Sequence, residues 1–228
     1  MTQTRKDTDM PEKRYIYAVL LSTPYKMGKF IRGITGFPYN HAAISLSPEM
    51  RYLYSFSRHY KNAPFYGGFN KESILRCRFG KNTAEMAVFA VPVTEEQYQK
   101  AKKRLLFLSE HSEEYIYNMI SAACFPFKTR VRIKKSYTCV EFVLSMLKKY
   151  TEIPVLKNKK FCSIGQLYNI LEPYKIYEGS AEKYLSVSDW EGDTFPAEKG
   201  KTFYWKKTAS NNGKLFYRFI NTKLLRRE

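Results

Sequence analysis

The sequence predicts an α+β protein: an antiparallel β-sheet packed against helices, with a C-terminal β-hairpin extension. Three observations carry this reading. The 228 residues are 44% hydrophobic and 16% aromatic, enough for one core and too apolar for a disordered chain. Strand-length runs rich in aliphatic and aromatic residues are punctuated by Gly, Pro and Ser. Three segments carry the capping box that opens a helix.

The elements follow in order. After a polar leader over 1–14, residues 15–21 form a first strand. Beyond Pro24, Met27, Phe30, Ile31 and Ile34 at helical spacing predict a short helix over 26–34, and Gly36-Phe37-Pro38 breaks it. Residues 41–46 read as a strand with His41, Ala43 and Ser45 on one face and Ala42, Ile44 and Leu46 on the other. Ser47-Pro48-Glu49 turns the chain into a hairpin partner over 51–57. A loop containing Gly67-Gly68, too short to count as a phosphate loop, leads to an apolar strand over 86–93. Thr94 and Gln97 then cap a helix whose stripe is Tyr98, Ala101, Leu105 and Leu108, and a second helix is expected over 113–123.

The basic stretch 128–135 precedes the best-specified helix. Thr138 and Glu141 form its capping box, Tyr137 and Phe142 its hydrophobic staple, and Val140, Val143, Leu144 and Leu147 its apolar stripe. Ser163 and Gln166 open another helix that runs to Leu171 and stops at Pro173. From about Trp190 the composition changes. Residues 202–207 and 214–220 read as two strands joined at Asn211-Asn212-Gly213, with a basic tail over 224–227. The organisation expected is a leader over 1–14, a domain over 15–189 and an extension over 190–228.

Lys and Arg number 39 against 21 Asp and Glu, a net charge of +18 that invites an anionic partner: a lipid surface, an acidic peptide or nucleic acid. Charge alone does not choose among them, and the basic runs read first as solvated surface. Cysteines 77, 124, 139 and 162 form no CxxC pair, which argues against a zinc site or a disulfide framework. No apolar run approaches the ~20 residues that span a bilayer. The leader has no apolar h-region, so a cytoplasmic location is expected.

Cys139 is the candidate nucleophile. It follows the N-cap, where free backbone N–H groups and the helix dipole favour the thiolate. The competing reading is a small buried residue that happens to open a helix. His41 is the candidate base, since a nucleophilic thiol needs a partner that titrates near neutrality. Its small neighbours on the strand face, Ala43 and Ser45, would let a helix end approach. His59 lies just past the hairpin strand and within possible reach of a site, whereas His111 reads as a solvated helix-end residue. Cys77, Cys124 and Cys162 lack comparable cap signals. No residue cluster asks for a metal or an organic cofactor.

The segment Tyr39-Asn40-His41-Ala42-Ala43-Ile44-Ser45-Leu46, followed by Tyr137-Thr138-Cys139-Val140-Glu141-Phe142-Val143, resembles the circularly permuted papain-like enzymes, relatives of NlpC-type peptidases and of lecithin retinol acyltransferase. The resemblance covers roughly 15–172 and implies a permuted papain-like fold. It also implies a cysteine amidase, peptidase or acyltransferase of the bacterial type, working on an amide- or ester-containing substrate through a Cys139 thioester, with His41 as base and the Cys139 backbone N–H in the oxyanion site. The family carries a third polar residue on the strand after its histidine. Here that strand reads Tyr52-Leu53-Tyr54-Ser55-Phe56-Ser57, without a carboxylate; Ser55 aligns with the position, and His59 or a backbone carbonyl is the substitute. The alternative function is a non-catalytic basic module that binds nucleic acid or an anionic membrane on the same scaffold.

Overall fold

The computed structural model describes residues 13–23, 25–79, 82–185 and 195–224. Most of the leader, the composition change at Trp190 and the tail beyond Leu224 lie outside the described residues. In chain order the elements are β1 (Arg14–Ser22), α1 (Lys26–Thr35), β2 (His41–Ser45), β3 (Leu53–Arg58), β4 (Gly67–Glu72), β5 (Arg78–Phe79), β6 (Asn82–Thr83), β7 (Glu85–Val93) and α2 (Glu95–Glu110). There follow β8 (Ile116–Tyr117), α3 (Met119–Ala123), β9 (Ser136–Tyr137), α4 (Cys139–Tyr150), α5 (Pro154–Lys157), α6 (Ile164–Leu171), β10 (Lys175–Ser180) and α7 (Lys201–Leu224).

Eight strands form one sheet in the order β10-β7-β1-β2-β3-β4-β8-β9, and β5 and β6 make a separate two-stranded ribbon. The chain is thus α+β, but the sheet is mixed rather than wholly antiparallel. β8 and β9 run parallel, through Ile116↔Ser136 and Tyr117↔Tyr137. The central strand β1 is buried on both faces and pairs antiparallel with β2 and β7.

Alternation divides the core in two. Ile16, Ala18, Leu20, Ala42, Ile44, Phe56 and Phe69 face the side covered by α2, α4 and α6. Tyr17, Val19, Leu21, Ala43 and Leu53 face the other side, which Met50, Ile74, Ala181 and Tyr184 cover with short 3-10 turns. Helix α4 is the keystone of the larger core. Both halves of its capping box are formed, and Phe142 meets Phe56 and Phe69 with ring centroids 5.4 and 5.7 Å apart. Phe142→Ala is expected to cost about 3–5 kcal/mol, because the cavity is lined on three sides by rigid sheet and helix. Urea unfolding would show it as a lower midpoint with an unchanged slope.

Two glycines are fixed by geometry. Gly36 closes α1 in the left-handed conformation (φ 61°) and donates to the Arg32 carbonyl, and a Cβ on Gly68 would meet the Tyr115 carbonyl oxygen at 2.2 Å. The Gly67-Gly68 pair, read from sequence as loop, therefore opens a strand that approaches β3 and β8 too closely for side chains.

Two further expectations are corrected. The helix expected over 113–123 is broken: Ser112–Glu114 is a 3-10 turn, Ile116 and Tyr117 pair as a strand, and only Met119–Ala123 is α-helical. Asn118 makes the break, accepting from the Ser121 N–H (3.0 Å) and donating to the Val131 carbonyl (2.8 Å). The C-terminal β-hairpin is instead one helix, α7. Its partly or fully buried positions include Tyr204, Thr208, Asn211, Leu215, Arg218 and Thr222, which recur every three to four residues. Several are polar, so the apolar alternation in Phe203-Trp205 and Leu215-Tyr217-Phe219 masked the helical period. Leu215 is only 2% exposed, and Asn211 donates to the Gly67 carbonyl (3.2 Å), so α7 docks on the sheet domain. No helix among the described residues is long and apolar enough to cross a membrane.

Candidate active site

Two elements deliver the central pair. The capping box fixes the first turn of α4: Thr138 Oγ1 accepts from the Glu141 N–H (3.2 Å), and Glu141 Oε2 accepts from the Thr138 N–H (2.8 Å). Cys139 is thereby held as the first helical residue, where the helix offers its N–H no acceptor of its own. His41 is the first residue of β2. The helix crosses β2 over the Ala42 and Ile44 face, not over the face of Ala43 and Ser45 expected from sequence; Ala43 packs in the opposite core. His41 stands at the very end of β2, where its side chain interacts with the helix-end residue Cys139.

The structure sets Cys139 and His41 near enough for each to perturb the titration of the other. Burial pushes the Cys139 thiol up, but the hydrogen bond and charge of His41, with backbone hydrogen bonds from Ala42 and Val140, outweigh it and hold the thiol below its ordinary value. Burial likewise pushes the His41 imidazole down, yet its bond to the thiol and the charges of Glu72 and Cys139 raise it above the ordinary value. Each partner therefore favours the charged form of the other. Tyr117, on β8, has its phenol driven well above the usual range by burial, by the charges of Cys139 and Glu141 and by its interaction with the Cys139 side chain. Tyr117 was not singled out in the sequence, because a two-residue strand leaves no periodic signal.

The carboxylate missing from β3 sits one strand further on. Glu72, the last residue of β4, is buried, and its Oε2 lies 3.9 Å from His41 Nε2. Ser55 and Ser57 on β3 both donate to Glu72 Oε1. Ser55 thus occupies the third-residue register but serves the carboxylate rather than the imidazole. His59 is not the substitute: its Nδ1 bonds Asn70 Oδ1 (3.0 Å) and its ring packs on Tyr66. It joins the site only through Asn70, which donates to Ser57 Oγ (2.7 Å). Alternation puts Ser55, Ser57, Asn70 and Glu72 on one sheet face with His41. The signal available in sequence was Phe69-Asn70-Lys71-Glu72 after a glycine pair, a strand with two polar residues on one face.

Cys139, His41, Tyr117, Ser57 and Glu72 line a cleft of about 550 Å³ whose walls are mostly apolar, among them Phe56, Phe125, Phe161, Ile164 and Phe195. Two of its basic residues have partners of their own. Arg130 pairs with Glu141 (Nε–Oε1 3.2 Å), which also accepts from Ser121 (2.6 Å), and the Arg58 guanidinium stacks 3.5 Å above the Tyr25 ring. Cys162 lines the same cleft, but burial pushes its thiol up to about 11. Cys124 is half-buried, the Cys77 side chain lies outside the described residues, and His111 is the C-cap of α2, stacked on Phe107. Among the described residues no group of three or more His, Cys, Asp or Glu is placed to hold a metal ion. Against this geometry stand the comparisons with known proteins: no family model, no curated protein and no solved structure matches the chain.

Proposed function

We propose that the protein is a cysteine-dependent acyl hydrolase or acyltransferase, with Cys139 as nucleophile, His41 as general base and acid, and Glu72 as the group that orients His41. The single observation that carries this reading is the meeting of Cys139, at the first position of α4, with His41, backed by the buried Glu72, at the wall of a largely apolar cleft. A permuted papain-like fold accords with it: the histidine strand precedes the cysteine helix in the chain.

In the proposed reaction the Cys139 sulfur attacks the carbonyl carbon of an ester or amide, and its proton resides on His41. The carbonyl electrons move to oxygen, and the oxyanion meets the Cys139 backbone N–H and the Tyr117 hydroxyl. Collapse re-forms the carbonyl and breaks the bond to the leaving group, which takes the His41 proton and departs. The thioester is then attacked by water or by an amine or hydroxyl acceptor; His41 removes the attacking group's proton and returns it to sulfur as the acyl product leaves. The apolar walls suit an acyl group with a hydrocarbon portion.

A p-nitrophenyl ester of a medium-chain fatty acid tests the reading. The expected result is a burst of nitrophenolate of about one equivalent and an acyl mass increment mapped to Cys139. Both are absent from Cys139→Ala. Adding glycerol or an amine distinguishes transfer from hydrolysis by the product formed. Equal turnover by wild type and Cys139→Ala, or no acyl adduct at all, would return the chain to a non-catalytic binding role.

A further inference from the structure

Helix α7 has two faces. The inner one holds Leu215, Asn211 bonded to the Gly67 carbonyl, and Arg218, whose Nη1 donates to the Glu114 carbonyl (3.0 Å). The outer one carries large apolar side chains in solvent: Trp205 is 74% exposed, Phe216 59%, Tyr217 68% and Ile220 40%. Phe216 and Ile220 lie 11 and 15 residues after Trp205, about three and four turns on, so the three share one stripe with Tyr217 at its flank. The helix also contains Lys201, Lys206, Lys207, Lys214, Arg218 and Lys223, and no Asp or Glu. Glu114 joins it to the basic 128–135 segment, for it pairs with Lys135 through its side chain and with Arg218 through its backbone.

We infer that the outer face of α7 docks the protein on an anionic lipid membrane. An exposed apolar stripe with aromatic members on a helix rich in Lys and free of acids suits the headgroup–acyl boundary. There the stripe enters the hydrocarbon edge while the basic side chains meet the lipid charge. The choice between lipid and nucleic acid turns on shape. Single-stranded nucleic acid is held in a groove lined by stacking platforms, whereas this stripe is the convex back of a helix. Location gives the docking a consequence. Phe203 and Tyr204 of α7 pack on Tyr60, with ring centroids 5.7 and 5.4 Å away, and Gly67, whose carbonyl Asn211 holds, lines the cleft. Seating the outer face of α7 on a bilayer would leave one helix, about 10 Å across, between the Gly67 wall of the cleft and the lipid. The inference does not depend on the chemistry of Cys139.

The test uses the full chain and vesicles of phosphatidylcholine, alone or with about 30% phosphatidylserine, in flotation assays at ~0.1 M salt. Binding is expected to the anionic vesicles only. In a Trp190→Phe background, where Trp205 is the one remaining tryptophan, its emission should shift to the blue on binding. Phe216→Ser with Ile220→Ser should weaken binding about tenfold or more. Leu106→Ser, at an equally exposed apolar position on α2, should leave it unchanged. Thermal unfolding of each variant checks that the fold is intact, as expected for Leu106, Phe216 and Ile220, which are solvent-facing. No binding to either vesicle overturns the inference. So does binding that survives the double substitution, or affinity confined to an RNA or DNA oligomer.

Discussion

His41→Ala is expected to slow alkylation of Cys139 at neutral pH by about 10- to 100-fold, with little effect on Cys162. Two thiols share the cleft. Both are buried; burial pushes Cys162 up to about 11 against the opposing charge of Lys159, and Cys139 falls below the ordinary value because His41 and two backbone N–H groups offset the same penalty. Without the imidazole, Cys139 should move toward Cys162. As the thiol value rises, the thiolate fraction near pH 7 falls. The more basic thiolate is also the better nucleophile, which returns up to about tenfold of that loss. The sign with pH follows. In wild type the Cys139 rate holds as pH falls below the range where ordinary thiols are protonated, and drops only on passing the lowered thiol value; in the variant that limb moves to higher pH. Iodoacetamide labelling from about pH 5 to 10, read by peptide mass at both cysteines, measures it. A Cys139 profile that coincides with that of Cys162 in wild type, or one indifferent to His41→Ala, removes the basis for thiolate chemistry here.

The sequence and the structure part company where signals are short or polar. Helices α2, α4 and α6 declared themselves through complete capping boxes, and all three boxes are formed with both hydrogen bonds. Strands β1, β2, β3 and β7 were legible because their alternation is apolar and their ends are punctuated. Cys139 and His41 belong to these well-marked elements, which is why residues so far apart in the chain could be paired in advance. Glu72 does not. It ends a strand that opens with two glycines and carries Asn70 and Lys71, residues that propensity assigns to a loop. That strand exists because β3 and β8 flank it, a non-local cause that no window of sequence contains. Tyr117 lies on a strand of two residues for the same reason. In α7 the difficulty was the opposite: the local pattern was strong but aromatic, and the buried stripe that sets the helical period is half polar.

Glu72→Gln separates a carboxylate that orients a base from one that merely ties two strands together. Glutamine keeps the shape of the side chain and an oxygen able to accept from Ser55 and Ser57, so the β3–β4 junction should survive with little loss of stability. What it removes is the charge that faces His41 Nε2 across 3.9 Å. That separation is longer than a hydrogen bond, so in this state the influence of Glu72 on the ring is electrostatic; a modest turn of the imidazole during reaction would shorten it. Because Glu72 is among the groups that raise His41, its neutralisation should lower the imidazole value. The imidazolium is then lost at a lower pH, and the alkaline limb of the acylation profile shifts down with it. Removing an orienting partner of this kind costs about 10- to 100-fold in rate, as with the outer-shell partners of other functional histidines. The measurement is the pH dependence of Cys139 acylation by the activated ester in wild type, Glu72→Gln and Ser55→Ala. A purely structural Glu72 would change stability and leave the limb in place. An orienting one shifts the limb in Glu72→Gln, and shifts it less in Ser55→Ala, where the carboxylate keeps its charge and its bond from Ser57.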